Sequence, residues 1–383
     1  MNQPGDPLPG PETAGGYGTR YAHHARSIFN IVAGLGAFVA TCLLVHALLP
    51  FPWVPEVSPK LRFFNLHKDE FDTVFIGSSH IYRHVVPETF DRTAAGGGVP
   101  TRSFNFGLPG MHPPESFYVL DQILHDKPSG LKWVFLELEE VYPLSRRARE
   151  SAPRPRTRNA RRTNQVNENA GTRRFLYWHN PALTWMAVRK SLNTNGQRAW
   201  WKNAWFVLRS KTVRLHLAVC LKNLANVGAV QDFEEVVTNS PESRAEQDQL
   251  AQQRGFAPRP ENMPPSDFSH YREELAKYAA KSELRLLDPI TEAAYREYAQ
   301  KIRDHGANVI FIVPPLVDQS DLRFRNEAGI GAQVLVFNKA DLYPALYDPR
   351  VHADREHLKL EGAQTFTRFL AERFTAEVAS SRR

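Results

Sequence analysis

The sequence predicts an α/β protein: a doubly wound parallel sheet, interrupted by a mostly helical insertion and carried on an N-terminal transmembrane helix. Three observations lead there. Short β-branched and aromatic runs alternate with helical stretches in two separate parts of the chain, the mark of parallel strands joined by crossover helices. The part between them loses that alternation and turns basic. An uncharged run of 22 residues, Ile28–Leu49, stands near the amino end.

In chain order, residues 1–26 are rich in proline and glycine and read as a disordered tail. At about 1.5 Å per residue, a helix over Ile28–Leu49 reaches roughly 33 Å, enough for a bilayer core of about 30 Å. Its polar residues Asn30 and His46 lie near the ends, Pro50 and Pro52 stop it, and Trp53 suits an interface. The run is longer than a signal-peptide core and no A-x-A site follows, so residues 28–49 are expected to remain as an anchor. Arg20 and Arg26 precede it with no acid between them, which places the amino end inside and residues 54–383 outside. For a bacterium this means a single-pass inner-membrane protein with a periplasmic soluble part.

Strands are expected at Thr73–Gly77, Ser103–Gly107 and Trp133–Leu138, with a helix near Pro114–His125. From Arg146 to Arg174 there are ten arginines against two acids, which reads as an exposed basic loop. Helical stretches follow at Phe175–Leu192 and Arg198–Val227. The second carries Trp200, Trp201 and Trp205 among Lys202, Arg209, Lys211 and Arg214. Tyr177-Trp178-His179-Asn180 is conspicuous but points to no chemistry. Asp232–Asp248 is acidic and Gly255–Pro265 is proline-rich. The α/β pattern resumes at Asp288, an N-cap followed by Pro289, with a helix to about Gly306. Strands follow at Val309–Val313 and Gln333–Phe337. A last helix from about Leu360 carries the apolar stripe Ala363, Phe366, Leu370 and Phe374. Residues 54–145 and 286–383 thus form one domain, and residues 146–285 the insertion.

With 383 residues, 42% of them hydrophobic, the chain can build a large core. Its only cysteines, Cys42 and Cys220, make neither a metal site nor a disulfide framework. There is no H-E-x-x-H, Walker loop or G-x-G-x-x-G, so zincin, P-loop and dinucleotide chemistry are not expected. A net charge of +7 suits anionic partners. The arginine run fits lipid phosphates or an acidic polysaccharide; nucleic acid does not suit an extracytoplasmic domain.

The chemistry centres on Gly77-Ser78-Ser79-His80, where an apolar strand hands over to hydroxyls. Ligands of open α/β sheets sit at the carboxyl ends of strands. A serine there needs a base, an orienting carboxylate and donors for the oxyanion. Asp354-Arg355-Glu356-His357, just before the last helix, lets one turn of chain present a carboxylate and an imidazole together. Ser79 is the expected nucleophile with Ser78 the competing hydroxyl, and His357 the expected base with His352 its rival. Asp354 is the orienter. Asn105-Phe106-Gly107-Leu108-Pro109-Gly110 ends the second strand and offers backbone N–H groups to an oxyanion. His80, Arg83, Asn105 and Glu139 are candidate pocket residues.

These blocks resemble the SGNH, or GDSL-like, hydrolase superfamily. Gly77-Ser78-Ser79 matches its first block, Gly110 the oxyanion glycine of its second, and Asp354 with His357 its last; Leu358 and Gly362-Ala363 also fit. The resemblance covers about half of the chain. It implies a flavodoxin-like three-layer fold, a Ser79–His357–Asp354 triad, and an oxyanion hole from the Ser79 and Gly110 N–H groups. The third block, Gly-x-Asn-Asp, is missing: its place reads Glu137-Leu138-Glu139-Glu140, and an ionised carboxylate cannot donate. That departure is similar to membrane-anchored members of the teichoic-acid D-alanylation type. The resemblance implies an extracytoplasmic serine esterase or O-acyltransferase acting on a cell-envelope polysaccharide, with no cofactor or metal. Its partners would be the lipid bilayer, an envelope glycan or acyl donor, and a membrane acyltransferase. The alternative is a non-catalytic envelope assembly factor on the same fold.

Overall fold

In a computed structural model the described residues are 16–48, 54, 57–141, 173–193, 210–225, 249–250, 252–281 and 283–381. Most of the basic loop, the tryptophan cluster, the acidic stretch, Pro50, Pro52 and Trp53 lie outside them.

The chain opens with helix α1 (Gly16–Leu48). Within it Arg26–Val45 is long and apolar enough to cross a membrane, with mean hydropathy 2.3. Ile28, Phe29 and Leu35 on it are exposed. The helix starts earlier than the expected tail allows. Every proline before Ile28 falls at or before Pro11, so nothing after it stops the helix from growing back toward Gly16.

Next come α2 (Ser58–His67), β1 (Thr73–Ile76), α3 (Ser79–His84), α4 (Pro87–Gly96), β2 (Ser103–Asn105), α5 (Glu115–His125) and β3 (Trp133–Glu137). The insertion holds α6 (Pro181–Asn193) and α7 (Lys211–Leu224), followed by α8 (Phe268–Ala279). The chain ends with β4 (Leu284–Leu286), α9 (Pro289–Asp304), β5 (Asn308–Val313), β6 (Asp321–Arg323), β7 (Gln333–Val336) and α10 (Leu360–Ser381).

Five parallel strands form the main sheet in the order β2-β1-β3-β5-β7. Alternate residues enter opposite cores. Val74, Ile76, Val134, Leu136 and Phe311 pack with Phe63 and Phe64 of α2, Phe117 and Leu120 of α5, and Tyr295 and Tyr298 of α9. Phe75, Phe135, Ile310 and Ile312 pack with Phe90 of α4 and with Phe366, Leu370 and Phe374 of α10. The expected stripe on the last helix is therefore its buried face, each large side chain contributing about 2 kcal/mol or more. Strand order reverses between β1 and β3, and ligands of open α/β sheets sit outside the carboxyl ends of the strands at such a point.

Two features depart from expectation. Phe175–Leu192 is not one helix: it breaks at Tyr177–Asn180, because Pro181 starts a new helix and the Asn180 side chain accepts the Leu183 N–H at 2.9 Å. A second, two-stranded parallel sheet pairs β4 with β6. Lys190 of α6 pins the insertion to the core. Its buried ammonium donates to Glu140 and Thr291, at 3.2 Å each, and to Asp288.

Candidate active site

β1 runs Thr73-Val74-Phe75-Ile76, all buried, and must then turn away from the sheet. Only glycine fits next. A Cβ on Gly77 would lie 2.4 Å from both Glu137 Oε2 and the Ile81 side chain. Ser78 caps α3, its Oγ accepting the His80 N–H at 3.2 Å. Ser79 follows as the first helical residue, half-buried.

The other partners arrive from just before α10. Asp354 Oδ1 accepts the N–H groups of Glu356 at 2.8 Å and His357 at 2.9 Å, folding the chain into a tight turn. Both Asp354 oxygens lie 2.9 Å from His357 Nδ1. The opposite ring nitrogen, Nε2, lies 2.8 Å from Ser79 Oγ. Nδ1–H donates to the carboxylate, so Nε2 is left to accept from the hydroxyl. Burial works to raise the Asp354 pKa. The His357 ring and the Glu356 N–H outweigh it and hold this carboxyl well below the usual range. The order carboxylate, imidazole, hydroxyl supplies a base in one tautomer, as a nucleophilic serine requires.

The chain matches no family model, no curated protein and no solved structure.

The loop after β2 is tied to the same place. Leu108 N–H donates to Gly77 O at 3.0 Å. A Cβ on Gly107 would lie 2.1 Å from Tyr82 N, so only glycine lets this loop press on α3. Gly110 stands half-buried in the same loop. Lys60 of α2, only 3% exposed, holds the loop from below. Its ammonium donates to the carbonyls of Asn105, Gly107 and Gly255 at 3.1, 2.6 and 2.7 Å and lies over the Tyr82 ring.

The candidate pocket residues divide. Asn105 is not a pocket wall. It is fully buried, and its amide joins the Ile81 and Val85 carbonyls to the Gly107 N–H. Arg83 turns away to the carbonyls of Ala257 and Pro258. His80 stacks beside His357, with ring centroids 5.7 Å apart. The rival base His352 is buried and engaged with Tyr271 Oη and the Leu346 carbonyl.

Behind the triad lies a second polar layer. Glu137 accepts from Ser78 N–H and, at 3.1 Å, from Ser78 Oγ, and sits 3.3 Å from His80 Nδ1. Next to it His112 meets Glu139. Burial lifts the Glu137 pKa, with help from the Glu139 charge; the same two carboxylates offset burial at His80 and raise it. Together the pair keeps a proton to higher pH than a free imidazole does. The donor atoms of His80, Glu137 and Glu139 lie within 4.8 Å of one another, a spacing that a divalent cation can bridge. Each carboxylate already faces a histidine.

His84 completes the support. Its Nε2 accepts the Leu358 N–H at 3.0 Å, which steadies the turn bearing His357. Burial, together with the His80 and His357 charges, holds its pKa well down, so it stays neutral and able to accept. Sequence reasoning missed Lys60, His84 and Glu137. The i, i+4 spacing of His80 and His84, and a glutamate closing an apolar strand, were the available signals for two of them. A cavity lined by Trp133, Arg303 and Asn308 opens at the amino ends of β3 and β5, the far end of the sheet from Ser79.

Proposed function

We propose that the protein is a membrane-anchored, extracytoplasmic serine esterase or O-acyltransferase of the SGNH type that acts on a cell-envelope polysaccharide. One observation carries this reading: the 2.8 Å contact of Ser79 Oγ with His357 Nε2, backed by the Asp354 carboxylate at 2.9 Å. Ser79 Oγ attacks the carbonyl carbon of an acyl ester while His357 takes its proton. The carbon–oxygen ester bond breaks, and His357 returns the proton to the leaving alcohol. Water or a sugar hydroxyl then attacks the acyl-enzyme, with His357 again as base. In this reading the N–H groups of Ser79 and Gly110 serve as the donors to the developing oxyanion. α1 serves as the anchor and keeps the site near the membrane.

The test is covalent labelling of the detergent-solubilised chain by a fluorophosphonate, followed by measurement of ester-linked acyl groups on envelope glycans. Wild type is expected to label and the Ser79→Ala variant not to. Loss of glycan acylation in Ser79→Ala cells marks a transferase, and excess acylation an esterase. Absent labelling together with unchanged acylation would move the reading to a non-catalytic envelope assembly factor. The carboxylates that replace the third-block asparagine favour that second reading.

A further inference from the structure

Residues 252–265, assigned from sequence to the insertion, form a strap across the site. Asn105 N–H donates to Arg254 O at 2.9 Å, so the strap covers the free edge of β2. Lys60 binds Gly255 O, Ala257 N–H donates to Tyr82 O at 3.3 Å, and Arg83 holds the Ala257 and Pro258 carbonyls. Further on, Met263 N–H donates to His352 O at 3.0 Å. Arg259 stands between these anchors. Its Nη2 lies 2.9 Å from Asp354 Oδ2.

We propose that Arg259 is a positioning residue of this site: it fixes the Asp354 carboxylate against His357 and makes the strap part of the triad. This rests on the Ser79–His357–Asp354 reading. An ion pair with 33% and 41% of its side chains exposed contributes little to stability, and the strap has main-chain anchors on both sides of it. What the pair does contribute is direction, because Asp354 sits at the end of a turn and half in solvent. The guanidinium also adds a positive charge beside the imidazole, which disfavours the protonated base. The other charged and titratable groups around this pair are His80 and His84 on α3, Glu137 behind His80, His352 before the turn, Arg355 and Glu356 in it with Glu274 facing Arg355, and Glu261 on the strap.

The experiment compares Arg259→Met and Arg259→Lys in the full chain in detergent, with acetyl-ester hydrolysis and NMR titration of histidine-labelled protein. Arg259→Met is expected to lower kcat roughly 10- to 100-fold with KM little changed. In the same variant the loss of the guanidinium charge should move the histidine titration of the site to higher pH. Arg259→Lys keeps the charge and should restore the titration but only part of kcat. An unmoved titration in Arg259→Met overturns the proposal, as does a rise in KM alone or an equal loss in both variants with a lowered melting temperature. The titration is read without turnover. An inactive wild type with a shifted titration therefore defeats the enzyme reading while keeping the Arg259 contact, whereas a labelled wild type with an unmoved titration defeats Arg259 alone.

Discussion

Ser78 and Ser79 are neighbours in sequence and opposites in setting. Ser78 is 1% exposed, caps α3 with its Oγ and donates a hydrogen bond to Glu137. Ser79 is half-buried and meets an imidazole whose far nitrogen is held by a carboxylate. Each serine has a histidine and an acid nearby, yet only one set forms a relay. In the Ser78 set both the hydroxyl and the carboxylate contact the same ring nitrogen, His80 Nδ1. In the Ser79 set they contact opposite nitrogens. Residue types alone do not make a triad; which edge of the ring each partner meets does.

The largest test of that contrast is the pair of alanine variants. Ser79→Ala should lose fluorophosphonate labelling and ester turnover entirely. Ser78→Ala should keep both within about tenfold and lose stability, roughly 1 to 2 kcal/mol, as a buried cap and hydrogen-bond donor is removed. Labelling that follows Ser78 instead would reverse the assignment.

The two acids come next. Asp354→Asn should lower kcat by about three to four orders of magnitude, because an amide cannot hold the Nδ1–H tautomer. Glu137→Gln should cost less than about tenfold in kcat while lowering the melting temperature, since the amide still accepts from Ser78 but no longer matches His80. Comparable kcat losses in the two variants would mean the second layer takes part in the chemistry.

The parts of this architecture that were legible in the sequence are those with local patterns. The apolar runs of β1, β3 and β5, the Asp288-Pro289 helix start and the stripe on α10 each show within one element. Ser79, Asp354 and His357 stood out because each sits at a strand end or a turn before a helix. The supports were hidden because their partners are remote. Lys60 meets Gly255 195 residues away, and Arg259 meets Asp354 95 residues away. α8 and the β4–β6 pair were not expected, since Leu284 and Leu286 are exposed and show no apolar run. Tyr177-Trp178-His179-Asn180 proved to be a joint: Tyr177 Oη donates to Glu115 at 2.6 Å, and Asn223 binds the Leu176 and Tyr177 carbonyls.

Both serines depend on how the loop after β2 is held, which Lys60→Met would probe. Three carbonyls would lose a buried cationic donor, and methionine fills the space without replacing it. Chemical denaturation should show a loss of about 3 kcal/mol, and the labelling rate of Ser79 should fall as the Gly107–Gly110 loop relaxes. Unchanged stability would show that Lys60 is not what holds this loop.

The smallest effect separates the histidines of the site from those of the insertion. His80 has a raised pKa, so its contribution is present below pH 6.5 and is lost as pH rises through its folded value. His179 and His216, buried and hydrogen-bonded to each other at 3.0 Å, go the other way. Burial pushes them down to about 3 and about 4. Below pH 6.5 the unfolded chain takes up protons that the folded pair refuses, so stability falls with falling pH until those low values are reached. Each such histidine costs about 1.4 kcal/mol per pH unit, or roughly 2 kcal/mol at pH 5. His216→Asn keeps a donor toward His179 and removes one of the two proton sites. Denaturation of the solubilised chain at pH 7 and pH 5 should therefore show the variant recovering about 2 kcal/mol of the wild-type acid loss. Parallel losses in the two proteins would place the acid sensitivity elsewhere, with His84 and His352, the other buried histidines held below their ordinary value, next in line.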